Sequence, residues 1–173
     1  MAGPEASELS LQADRLLQTL SAQGVDFVVV GGMARLAHGS AYPTFDLDIA
    51  YAREEPNLER LTAALRELEV TLRGAPADLP FQLEVDTLAR GANFTFDTPY
   101  GSFDILGDAA GIDSYDELRR NASIAIIEGV EVRVASIDDL IRMKRAANRA
   151  KDQLMVEEYI VLADEQRRAA EHG

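Results

Sequence analysis

The sequence predicts an α+β fold, in which a β-sheet is flanked by helices and further helices follow towards the C-terminus. Two observations predict this class. Short apolar or alternating segments, typical of strands, interchange with amphipathic segments at helical spacing, and Gly or Pro residues separate them. With 173 residues the chain is most simply one domain, 1–173, with the sheet core at about 24–135 and the helical part at about 136–170.

Composition limits the classes of function. The chain contains no cysteine, which excludes a disulfide, a zinc–thiolate site and a cysteine nucleophile. It shows neither a signal-peptide pattern nor an apolar run near membrane length, so we expect a cytoplasmic protein with no membrane partner. The net charge of −13 argues against a broad basic face for nucleic acid. Either the binding partner is small, cationic or a protein, or a local basic patch holds a nucleic acid.

The first elements are an amphipathic helix over residues 7–22 and a buried strand over residues 27–30. The strand is a continuous apolar run rich in valine, as is typical of strands buried on both faces. Gly31 and Gly32 end it, and residues 33–37 are good helix formers. Free N–H groups at this bend would form a site for an anion such as phosphate.

A second strand is predicted over residues 45–51, where Asp46 and Asp48 alternate with Leu47 and Ile49. Positions two apart on a strand face the same side, so both carboxylates project together. Such a pair repels itself unless a cation lies between its members, and hard oxygen ligands suit Mg²⁺. The sequence therefore predicts a magnesium site at Asp46 and Asp48.

The rest of the chain continues to alternate between predicted helices and strands, except that residues 69–92 show no clear pattern. Asp104 lies between Phe103 and Ile105 in a predicted strand, where an unpaired charge is costly. It either joins the aspartate pair or points to solvent from an edge strand. The predicted elements are a helix at 54–68, strands at 93–97 and 102–106, a helix at 114–120, strands at 124–127 and 130–134, and helices at 136–147 and 154–171. In the last helix we expect Leu154, Ile160, Val161 and Leu162 to pack inward, and we assign Asp108 to the loop after the strand at 102–106.

Two sequence signatures, the first within residues 31–48 and the second within residues 134–152, resemble the nucleotidyltransferase superfamily of DNA polymerase β. Their residue pattern is most similar to that of the AbiEii-like branch, which comprises toxins of type IV toxin–antitoxin systems and their uncharacterised relatives. Tyr42 departs from this pattern, because the branch has Arg there. The second signature runs over 134–152 and includes Lys144 and Asp152. The first signature consists of Gly31, Gly32, Ala34, His38, Gly39, Thr44, Asp46 and Asp48.

The resemblance implies a mixed-sheet nucleotidyltransferase core and a set of site residues. Asp46, Asp48 and Asp104 would hold two Mg²⁺ ions, replaceable by Mn²⁺, with Asp104 on the ion that activates the acceptor hydroxyl. Lys144 would neutralise the leaving pyrophosphate, and Asp152 would support the nucleotide pocket. The backbone of Gly31 and Gly32 would contact the β- and γ-phosphates. We interpret His38 as structural.

The function that the resemblance implies is transfer of a nucleoside monophosphate from a nucleoside triphosphate such as ATP to an acceptor hydroxyl. In the toxin branch the acceptor is RNA, best known as the tRNA 3′ end, and the partner is an antitoxin protein. One alternative keeps the reaction but uses a cationic small molecule or a protein side chain, which the net charge favours. A third hypothesis is nucleotide or partner binding without turnover, motivated by Tyr42 and by Met155, which replaces an acid of the branch.

Overall fold

Seven helices and seven strands make up the part of the chain that the structure describes. This computed structural model describes residues 11–76, 81–147 and 150–172, with the backbone alone for 150–155. The elements are α1 (Ala13–Ala22), β1 (Phe27–Val30), α2 (Gly31–Ala37), β2 (Asp46–Tyr51), α3 (Glu55–Glu67), β3 (Thr71–Leu72), α4 (Val85–Arg90), β4 (Asn93–Thr98), β5 (Gly101–Leu106), α5 (Tyr115–Asn121), β6 (Ser123–Ile127), β7 (Val130–Val134), α6 (Ile137–Ala147) and α7 (Ala150–Glu171).

The strands form one mixed sheet in the order β3-β4-β5-β2-β1-β7-β6. Strand β2 pairs parallel with β5 and antiparallel with β1, and β1 pairs parallel with β7. The remaining pairs, β3 with β4, β4 with β5 and β6 with β7, are antiparallel. A mixed sheet with flanking helices confirms the predicted α+β class.

The centre of the sheet explains why the two aspartates of β2 share one face. All four residues of β1 are buried, as the apolar run predicted. In β2, Leu47 and Ile49 are fully buried, whereas Asp46 and Asp48 are only partly buried. Because side chains alternate along a strand, the two carboxylates lie on the sheet face opposite to these core residues.

Amphipathic helices cover the sheet as the sequence predicted. Helix α1 buries Leu16, Leu17 and Leu20 and packs against α3 and β7. The predicted beginning of this helix at residue 7 lies outside the described residues. Helix α6 begins after Ser136, whose Oγ accepts a hydrogen bond from the Asp139 amide at 3.2 Å, as expected for an N-cap. Among the described helices, none combines the length and apolar character that crossing a membrane requires.

The structure corrects two parts of the sequence interpretation. Residues 69–92, which showed no pattern, contain the two-residue strand β3 and the short helix α4. Ile160 and Val161, which we expected to pack inward with Leu162, are 38% and 55% exposed. The buried face of α7 instead carries residues spaced three apart, and the two exposed residues lie between those positions. These buried residues are Val156, Tyr159 and Leu162.

Candidate active site

Asp48 and Asp104 lie directly opposite each other on the parallel strands β2 and β5. Opposite residues of paired strands face the same side, and the two carboxyl groups form a hydrogen bond with each other. Asp46 lies one step along the same face, opposite Ser102. The structure therefore brings the three predicted metal ligands to one face of the sheet, with two of them in direct contact. Their role as ligands stays a prediction.

The carboxyl pair holds a proton near neutral pH. Burial, followed by the charge and hydrogen bond of Asp104 and the charge of Asp46, raises the pKa of Asp48 to about 7, while Lys144 lowers it. Burial also raises the pKa of Asp104, although the guanidinium of Arg73 opposes this effect. The two carboxyl groups therefore titrate as a pair and share this proton.

Two glycines allow the chain to bend closely against these side chains. Gly31 follows β1 directly with φ of +64°, and a Cβ atom there would lie 2.0 Å from Oδ2 of Asp48. A Cβ atom on Gly32 would lie 2.5 Å from Oγ1 of Thr44. Neither distance is compatible with a side chain, so packing requires both glycines, and the positive φ favours glycine at position 31 as well.

A cleft of about 390 Å³ opens above this carboxyl pair. It brings together four of the residues that the sequence predicted for the site: Gly31, Asp48, Asp104 and Lys144. Gly32 and Asp46 do not line it, and the side chain of Asp152 lies outside the described part of the chain. The apolar part of the lining consists of Val30, Leu106, Ala110, Leu140, Met143, Ala147 and Tyr159.

Two charged residues of the site were missed by the sequence interpretation. Asp108, which we assigned to the loop after β5, also lines the cleft. Arg73 donates from Nη2 to Oδ1 of Asp104 at 2.9 Å, and it follows the edge strand β3 in the stretch that showed no pattern. No motif marks either residue. The sequence shows only a single arginine before Gly74 in an acidic chain, and nothing in the sequence indicates that Asp104 is its partner.

The donor chemistry of the site fits a divalent cation. Asp48 and Asp104 are hard oxygen ligands whose mutual repulsion a cation would relieve. Within the described residues, no three acidic or histidine side chains stand close enough to enclose an ion as they are placed. As placed, Oδ1 of Asp104 accepts a hydrogen bond from Arg73 at 2.9 Å, and the carboxyl group of Asp104 contacts that of Asp48.

His38 and Tyr42 have structural surroundings. Gln166 donates to Nδ1 of His38, so Nε2 carries the hydrogen that donates to the Ala135 carbonyl at 2.7 Å. The guanidinium of Arg35 lies 5.8 Å from the centroid of the Tyr42 ring, a cation–π contact. His38 thus joins α2 to the end of β7 and to α7, in agreement with its interpretation as structural.

Comparison with known proteins identifies the fold. No family model matches the chain, and no curated protein is similar to it in sequence. The antibiotic-resistance factor ANT(2'')-Ia has a similar structure, with a TM-score of 0.53, 16% identity and 92% of each chain covered. A candidate nucleotidyltransferase from Thermotoga maritima gives a TM-score of 0.55 at 14% identity, covering 92% of this chain and 95% of the other.

A third structure, the lincosamide antibiotic adenylyltransferase LnuA with bound lincomycin, gives a TM-score of 0.55 at 11% identity. The match covers 88% of this chain and 99% of the other. The chain therefore has the fold of nucleotidyltransferases, which agrees with the superfamily that its two signatures resemble. At these identities the likeness extends to the fold alone. Membership of the AbiEii-like branch stays a prediction.

Proposed function

We propose that this chain is a nucleotidyltransferase that depends on divalent cations and moves a nucleoside monophosphate from a triphosphate such as ATP to an acceptor hydroxyl. The observation that carries the proposal is the shared cleft of Gly31, Asp48, Asp104 and Lys144. A glycine bend allows a phosphate chain to approach the backbone closely. The carboxylates and the lysine supply the two kinds of charge that a triphosphate with its cations requires.

The proposed reaction joins the acceptor oxygen to the α-phosphorus and breaks the bond from that phosphorus to the oxygen bridging to the β-phosphate. Pyrophosphate leaves with the electron pair, and the hydroxyl proton passes through a site carboxylate to water. Asp46, Asp48 and Asp104 would hold Mg²⁺ or Mn²⁺, which supplies electrostatic stabilisation for the attacking and leaving oxygens. Lys144 would neutralise the charge that develops on pyrophosphate.

A small cationic acceptor that carries hydroxyl groups is the acceptor that the charges favour. Asp48, Asp104 and Asp108 line the cleft, and Lys144 is the cation among the lining residues described. The whole chain has a net charge of −13. Asp108, which is not among the proposed metal ligands, and the negative charge of the chain as a whole would attract an ammonium group on the acceptor, whereas an RNA acceptor would be repelled by that overall charge.

An RNA acceptor is the second candidate, because the sequence resemblance implies a toxin that modifies the tRNA 3′ end and is bound by an antitoxin protein. It requires a local basic surface. Arg142, from the most basic stretch of the chain, bonds to Glu117 and Asp139, which neutralises part of that surface. Arg145 is exposed beside it and lines the groove between α6 and α7.

A labelling experiment separates the candidates. The protein is incubated with each labelled triphosphate, Mg²⁺ and one acceptor: total tRNA, tobramycin or lincomycin, the last two being molecules seen with structures of similar fold. We expect label on a cationic small molecule and none with the D48N variant. Label on tRNA would favour the toxin hypothesis. Triphosphate binding that needs Mg²⁺ but yields no product would favour binding without turnover. Absence of any such binding would contradict all three.

A further inference from the structure

Arg73 belongs to a row of residues that runs across the sheet into the candidate site. The pairing of β3 with β4 places Leu72 opposite Phe96, and the next amide, that of Arg73, donates to the Thr95 carbonyl at 3.0 Å. Thr95 in turn lies opposite Asp104.

Asp104 lies opposite Asp48, which completes the row Arg73, Thr95, Asp104 and Asp48 over four neighbouring strands. Side chains in such a row project from one face of the sheet. Thr95 is short, so the longer arginine side chain reaches past it to Asp104. Arg73, which follows the short strand β3, thereby places its guanidinium beside Asp104 on β5, two strands away.

The guanidinium of Arg73 is fixed by three acceptors at once. Nη2 donates to Oδ1 of Asp104 at 2.9 Å and to the Phe96 carbonyl at 2.7 Å, and Nε donates to Oδ1 of Asp97 at 3.2 Å. The planar, rigid fork of arginine can satisfy these acceptors together, which a lysine ammonium on its flexible stem cannot reproduce. The contact with Asp104 therefore has a defined direction.

This contact does more than attach β3 to the sheet. The bonds to Phe96 and Asp97 already fix the arginine to β4, yet Nη2 also reaches the partly buried carboxylate of β5. Asp104 accepts a hydrogen bond from Arg73 at Oδ1 and is also hydrogen-bonded to Asp48. The carboxylate of Asp104 is thus held in one orientation beside Asp48, another predicted ligand.

We propose that Arg73 is a positioning residue that fixes the carboxylate of Asp104 for divalent-cation binding at the candidate site. This inference rests on the proposed function. Groups that hydrogen-bond to ligating carboxylates orient them, and their loss typically weakens metal affinity by about 10–100-fold. Arg73 does not touch a substrate in this role but acts through Asp104.

The test measures Mn²⁺ affinity directly, by calorimetric titration or by electron paramagnetic resonance of free Mn²⁺, without any substrate. We expect Arg73→Gln to weaken Mn²⁺ binding by about tenfold or more. Arg73→Lys keeps the charge without the fork and is expected to weaken binding by less, roughly threefold to tenfold. The matched control is Arg90→Gln, because Arg90 is 84% exposed and pairs with Asp86 on the surface of α4. The control should bind Mn²⁺ like the parent.

The outcomes separate this inference from the function on which it rests. Absence of Mn²⁺ binding by the parent protein would overturn the proposed function and this inference with it. If the parent binds but Arg73→Gln binds within about twofold of it, or more tightly, Arg73 is a strand anchor or a competing cation and the inference is wrong. If Arg73→Gln fails to fold, Arg73→Lys decides in the same way: weaker binding supports the proposal and parental binding refutes it.

Discussion

The two walls of the cleft are built on different principles. On the sheet wall, Gly31, Asp48 and Asp104 are held by strand register and by contacts with each other, so each position depends on its neighbours. On the helix wall, α6 and α7 present mainly apolar side chains, such as Leu140 and Tyr159, with Lys144 as the charged group that reaches the cleft.

Because the two walls are held differently, substitutions on the sheet wall should affect catalysis, and substitutions on the helix wall should affect substrate binding. On the sheet wall, an atom added at Gly31 would lie closer to Asp48 than van der Waals packing allows. A change on this wall therefore displaces several groups together. A change on the helix wall removes one contact and leaves the rest of that wall in place. Substitutions on the sheet wall should therefore lower turnover, and substitutions on the helix wall should mainly weaken substrate affinity.

The largest effect is expected for Asp48→Asn. Transfer should fall to below about one hundredth of the parental rate, because the variant loses a carboxylate that would hold the divalent cations. In a buffer with a chelator, the same variant should be more stable than the parent above pH 7. The measurements are labelled-product formation and thermal unfolding at several pH values.

The sign of the stability effect follows from the pKa of Asp48. Folding raises this pKa from about 3.9 in an unfolded chain to about 7, so the native state binds a proton that the unfolded state has released. The parent therefore loses stability as the pH rises from about 4 to about 7, and asparagine does not. The gain of Asp48→Asn should be near zero at pH 4 and complete above pH 7. A variant less stable than the parent at pH 8 would mean that the carboxylate is structural.

Much of the sheet wall could be predicted from the sequence because its information is local. The valine run, the glycine pair and the aspartates at alternate positions lie within one segment, and their spacing fixes which face they share. Asp104 needed the family pattern as well, since its strand alone left it facing either the site or solvent.

Arg73 and Asp108 could not be predicted because their positions depend on long-range pairing. Arg73 acts 31 residues away from Asp104 through the register of two strands, and β3 contains only two residues. Propensity carries little information over such a length. Asp108 follows β5 in a loop, where nothing local indicates that the cleft lies beside it. In α7, the pattern suggested that residues 160–162 pack inward, but the buried positions are 156, 159 and 162.

A smaller effect on activity, joined to a loss of stability, is expected for Gly31→Ala. The φ of +64° costs an L-residue roughly 1–2 kcal/mol, and the new Cβ would collide with Oδ2 of Asp48. The matched control is Gly129→Ala, where φ is +83° but nothing lies within 4 Å of the added atom. We expect Gly31→Ala to lower the unfolding free energy by more than the control and to lower activity, which the control should retain.

A double-mutant comparison isolates the collision in this case. In the Asp48→Ala background, Oδ2 and Cγ, which would lie 2.0 and 2.9 Å from the added Cβ, are absent and only the Cβ of residue 48 at 3.0 Å remains, so the excess destabilisation of Gly31→Ala over Gly129→Ala should become much smaller. Denaturant unfolding of the single and double variants provides the values. Equal excess in both backgrounds would show that backbone strain alone explains the glycine.

The smallest effect is expected on the helix wall, for Lys144→Ala. A hydrogen bond to a charged group contributes roughly 1.5–3 kcal/mol, so triphosphate binding should weaken by at least about tenfold. The rate of the bound complex should change less, because the lysine contacts the triphosphate before and during transfer in the proposed function. Arg145→Ala is the matched control, since Arg145 is exposed and does not line the cleft. Equal triphosphate titration curves for Lys144→Ala and the parent would remove this lysine from the pocket and leave the sheet wall as the sole basis of the site.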